Sequence, residues 1–160
     1  MKVLTKAYRM IYKFMEGLAF ALLTFIVCAV AAQVFLRALG IPVPWTEEMS
    51  RYAFVALVFV GSFLAYATGR HIVINVLVER LPKKISQILS FFVNATIAWF
   101  LVLLVRGMHA YMLASQAVRS VSVSWFQMNY LNVVLLAAIL SMLGTAIVFS
   151  IRDFYSIFRK

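Results

Sequence analysis

The stretch VPWTEEMSRYAFVALVFVGSFLAYATGRH, residues 43 to 71, decides the fold of this chain. It opens on two adjacent carboxylates, Glu47 and Glu48, continues without a charge over positions 52–68, and closes on Arg70 and His71. An uncharged run of that length approaches the ~20 residues with which a helix crosses the hydrocarbon of a bilayer. Pro44 fits the turn before such a helix, and Thr46 is the expected N-cap. Glu47 and Glu48 then fall in the first turn, where negative charge meets the positive end of the helix dipole. Glu47 and Arg51 stand at i and i+4 in the favourable order, and Trp45 and Tyr52 are typical interfacial anchors. Neighbouring helical residues point ~100° apart, so Glu48 cannot share Arg51 from the same face. A partner for Glu48 is therefore expected on another helix or another subunit.

Working outward, positions 17–36, 85–105 and 131–151 are likewise free of charge. The 160-residue chain is 65% hydrophobic and only 12% charged, with mean hydropathy +0.98, outside the range of a soluble domain. Strands of a membrane barrel would be about half as long and strictly alternating, and no such pattern runs through the chain. The fold expected is an all-α integral membrane domain over residues 1–160, with four transmembrane helices at about 15–37, 46–69, 85–112 and 129–152. The single cysteine, Cys28, lies within an apolar run and excludes an intrachain disulfide.

Fifteen Lys and Arg against five Asp and Glu give a formal charge of +10. In a soluble protein that balance would suggest nucleic acid, but here the basic residues cluster at the ends of apolar runs, so no nucleic-acid partner is expected. Lys2, Lys6, Arg9 and Lys13 precede the first span. Arg70, Arg80, Lys83 and Lys84 separate the second and third, and Arg152, Arg159 and Lys160 follow the fourth. These three regions are assigned to the cytoplasm, with both termini inside. The first run, with its basic start and Ala29-Val30-Ala31, has the parts of a signal peptide, but its length fits a retained span better. Two amphipathic segments are expected at the interfaces. One is GRHIVINVLVERLPKK (69–84) on the inner side; the other follows the third span outside, where SVSVSW (120–125) suggests a short extended piece.

Hydrolytic, metalloprotease and nucleotide-binding motifs are absent, which argues against an enzyme. His71 and His109 raise haem ligation by a membrane anchor subunit, but they are expected at opposite ends of their spans, too far apart for one iron. Glu16 would be the proton site of a small autonomous exporter; an i, i+3 ion pair with Lys13 is the plainer reading. Along the second span Ala53, Leu57, Gly61, Ala65 and Gly69 recur every fourth residue, a stripe of the kind that lets helices approach closely. Single polar residues such as Asn94, Asn132 and Thr145 suit hydrogen bonds between helices.

The order W-x-E-E-x-x-R (Trp45, Glu47, Glu48, Arg51), an apolar span with Gly61, then G-x-H-I-x-I-x-x-L (Gly69, His71, Ile72, Ile74, Leu77) and Leu81-Pro82 resembles the small membrane subunit of tripartite ATP-independent periplasmic (TRAP) transporters, the DctQ type. Arg37 matches the Arg that closes the first span in that family; Asn75 stands where family members carry Asp. The resemblance implies a non-catalytic scaffold in the bacterial inner membrane, bound to a large elevator-type permease subunit that holds the substrate and sodium sites. A periplasmic binding protein would deliver an organic acid such as a C4-dicarboxylate or a sialic acid, and no cofactor is expected in this chain. Arg37, Trp45, Glu47, Glu48, Arg51, Gly61, Ala65, Gly69 and His71 are the residues expected to anchor it and to form the partner surface.

Overall fold

In a computed structural model, which describes residues 2–68, 83–115 and 118–158, the chain forms four long helices. They are α1 (Lys2–Ala38), α2 (Pro44–Ala67), α3 (Lys83–Ala114) and α4 (Met128–Phe158). Each is long and apolar enough to cross a membrane. An isolated antiparallel bridge, Arg119 with Gln127, is the β-type pairing among the described residues.

The helices pack in the order α1, α2, α4, α3, each against its neighbour in that row. In their most apolar stretches, 28% of α2 and of α4 is buried, against 6% of α1 and of α3. α2 and α4 are thus the inner pair. Their shared core joins Val60 and Phe63 of α2 to Ala138 of α4 and takes in Met15 of α1. A second cluster, around Tyr66, Leu101, Ile139 and Ala146, ties in α3. Helices fully surrounded by lipid and partners need no polar face, which explains why α1 and α3 present Phe20, Phe35, Phe92 and Trp99 outward.

α1 ends where Gly40 adopts φ +77°, a left-handed conformation that costs other L-residues about 1–2 kcal/mol. The Gly40 N–H bonds to Arg37 O (3.0 Å) and the Ile41 N–H to Leu36 O (2.9 Å), the paired bonds that close a helix when glycine follows its last turn. Gly40 after the run to Ala38 is therefore the stop signal of α1.

α2 starts earlier than the expected Thr46 cap. Pro44 occupies the first helical turn, where its fixed φ suits the helix and its missing N–H leaves no donor unpaired. Val43 stands at the cap position without a side-chain bond, and Thr46, fully buried, donates its hydroxyl back to Val43 O (2.7 Å). The inner segment 69–82, with Gly69, Arg70, His71, Asn75 and Pro82, lies outside the described residues.

Candidate functional site

The end of the bundle opposite the termini gathers the first turn of α2, the α1–α2 link and the loop between α3 and α4. Glu47 and Arg51 pair there as the i, i+4 spacing predicts, at 3.3 Å, with 58% and 70% of their side-chain surface exposed. Screened by solvent, that pair contributes little to stability.

Glu48 behaves differently. Its carboxylate accepts the Tyr52 hydroxyl (2.6 Å) and two backbone N–H groups of the α3–α4 loop, Val121 (3.1 Å) and Ser122 (2.8 Å). The acid that Arg51 leaves unpaired is satisfied within the chain, by Tyr52 one turn along α2 and by a segment more than seventy residues away. The Tyr52 ring stacks on Phe126 of the same loop at 5.7 Å and 11°, and Trp125 and Tyr130 meet Phe126 edge-on. Polar and aromatic contacts thus fasten the loop to α2 together.

The loop is a compact hairpin rather than an extended piece. Ser120 N–H to Phe126 O and Met128 N–H to Val118 O hold its stem, and the Ser120 hydroxyl accepts the Val123 N–H (3.1 Å). SVSVSW fails to become a strand because its Val121 and Ser122 donors are turned onto a carboxylate instead of a neighbouring strand. Its tip presents Val121, 96% exposed, and Trp125, 75% exposed, to the outside. At its base Asn132 donates to Ser115 Oγ (3.0 Å), joining the start of α4 to the end of α3.

Two shallow clefts flank Glu47. One, of about 340 Å3, lies between the α2 start and the hairpin tip; the other, of about 420 Å3, is lined by Gln33, Arg37 and the α1–α2 link. Trp45 and Arg37 are exposed at this rim. The structure therefore brings Arg37, Trp45, Glu47, Glu48 and Arg51 to one ledge. Gly61 and Ala65 sit further along α2 and are half-buried, while Gly69 and His71 lie outside the described residues. A carbon placed on Gly61 would meet no described atom within 4 Å, so none of the described helices closes on it there. Four-residue steps rotate ~40° each, which carries the stripe out of the core after Ala53.

A polar chain crosses the other half of the bundle. The Tyr66 hydroxyl donates to Asn94 Oδ1 (2.8 Å), and Asn94 Nδ2 donates to Asp153 Oδ2 (2.8 Å), linking α2, α3 and α4. Sequence reasoning expected Asn94 to bond between helices but missed Asp153. Its signal is an acid directly after Arg152 within an otherwise basic terminus.

Lys13 and Glu16 are both exposed and form no ion pair, in contrast to the expectation from their spacing. Glu16 lines none of the clefts described, which leaves the exporter reading without support. His109 is exposed on α3.

The family described as tripartite ATP-independent periplasmic transporters, DctQ component, matches residues 26–160. A protein of Haemophilus influenzae assigned as a TRAP transporter small permease is 37% identical over 62 residues. That alignment covers 39% of this chain and 38% of the relative, well under half of each.

Proposed function

From the premise that this chain belongs to the DctQ component family of TRAP transporters and is a multi-pass protein of the bacterial inner membrane, we propose that it is the non-catalytic small subunit of a sodium-driven carrier for an organic acid. In this reading it braces the large permease subunit, which holds substrate and sodium, and its outer ledge helps receive the periplasmic binding protein. Both termini face the cytoplasm, following the basic residues at the ends of the spans. C4-dicarboxylates and sialic acids fit the class of cargo.

The observation that carries this reading is the groove between α2, α3 and α4, about 280 Å3, lined by Phe59, Ile97, Leu101, Leu104, Met142 and Ser62 among others. Ser62 is the polar side chain in that wall, and its proton is already given to Val58 O (2.7 Å). A carboxylate crossing there would lose its hydration without gaining donors. Transport sites in membrane carriers are instead built from broken helices with free backbone groups at mid-depth, and α1 to α4 run unbroken.

Reconstitution in liposomes tests the proposal. This chain alone, with a sodium gradient and the binding protein, is expected to give no uptake of a carboxylate cargo, while addition of the large subunit restores it. Uptake by this chain alone would overturn the scaffold reading.

A further inference from the structure

At the end of the bundle that carries the termini, a cleft of about 530 Å3 opens between α1 and α4, with the last residue of α2 completing its lining. Tyr8, Arg9 and Tyr12 line it from α1, and Thr145, Val148 and Phe149 from α4. Arg9 makes no ion pair among the described residues. The Thr145 hydroxyl spends its proton on Ser141 O (2.9 Å). The acid at this end of α4, Asp153, is directed at Asn94 of α3. Among the described residues, what lines the cleft for an occupant is therefore one arginine and two tyrosines beside an apolar wall.

That combination sits at the margin of the apolar spans, which begin at Tyr8 on α1 and end at Tyr155 on α4. Tyrosine rings favour this depth, and a guanidinium matches the paired oxygens of a phosphate. Arg152, one turn beyond Val148 on the same face of α4, is exposed and adds positive charge toward the headgroup region. We propose that this cleft is a binding site for an anionic phospholipid. Arg9 with the Tyr8 and Tyr12 hydroxyls holds the phosphate, and Val148 and Phe149 receive the first carbons of an acyl chain. The apolar wall selects a lipid over a free phosphate, which would leave that wall wet. Basic pockets between transmembrane helices are suited to such headgroups. The inference goes beyond the transporter reading and does not depend on it.

Native mass spectrometry of the full chain in mild detergent, titrated with phosphatidylglycerol or phosphatidylethanolamine of identical acyl chains, tests the site. Phosphatidylglycerol is expected to bind about fivefold more tightly, the factor that one basic residue at a headgroup supplies. Arg9→Gln should remove the preference, Arg9→Lys should keep most of it, and Arg106→Gln at the opposite end should leave it intact. Equal binding of the two lipids, or a preference that survives Arg9→Gln, overturns the proposal. Displacement by equimolar glycerol 3-phosphate would replace the lipid with a soluble phosphate. A cross-link from Arg9→Cys to a co-purified protein, with no lipid retained, would replace it with a protein contact.

Discussion

Glu48 is the residue whose role depends most on what surrounds it. Glu47, one position earlier, pairs with Arg51 in solvent and adds little to stability. Glu48 instead gathers three donors, two of them backbone groups at the tip of a distant hairpin. Charged acceptors strengthen such bonds, so the carboxylate acts as a latch on the loop. Glu48→Ala should speed amide hydrogen exchange at Val121 and Ser122 while leaving exchange in the middle of α2 unchanged. Glu48→Gln, which keeps one acceptor oxygen, should give an intermediate rate. Unchanged exchange at the hairpin tip in the alanine variant would show that the loop is held by the Tyr52–Phe126 stack alone. The helical angle between neighbours made it legible that Glu48 needed a partner other than Arg51, and Tyr52, one turn along the same face, supplies part of it. Which partner it finds was not legible, because the answer lies in a loop whose sequence looks like a strand.

Among the helices, identity and number follow from hydrophobic length, whereas their ends follow from local backbone chemistry. Gly40 closes α1 and Pro44 opens α2 within five residues, producing a tight reversal. Thr46 was misread as a cap because its side chain suits that role, while the proline two residues before it already fulfils the geometric demand. Between helices, Asn94 is the joint, since both of its side-chain ends are engaged, one to α2 and one to α4. Hydrogen bonds of this kind in membranes average about 0.6 kcal/mol, so Asn94→Leu should cost about 1 kcal/mol in a thermal or denaturant unfolding experiment in detergent. Tyr66→Phe should then cost less in the Asn94→Leu background than in the native chain. Strictly additive costs would mean that the two side chains are not coupled.

For the molecule as a whole, the row α1, α2, α4, α3 leaves broad apolar faces on its outer helices and open space beside Gly61 of α2. Because a Cβ at Gly61 would meet no described atom within 4 Å, Gly61→Leu should leave the unfolding temperature of the isolated subunit nearly unchanged. It should nevertheless weaken co-purification of the large subunit, as a filled small-residue edge blocks close helix approach. Full co-purification with Gly61→Leu would remove the stripe through Gly61 from the expected partner surface, leaving the first turn of α2 to be tested separately. Residence in a membrane, four helices long and apolar enough to cross it, and the charges that flank them are all legible in the sequence. Those properties depend on transfer of side chains from water to hydrocarbon and on run length, both of which are additive along the chain. That α2 and α4 form the centre, that Glu48 is satisfied within the chain and that Asn94 meets Asp153 follow from packing alone. Lipid-soluble helices carry almost no amphipathic signal to say which face turns inward, so helix order and long-range polar pairing emerge only when the helices are packed.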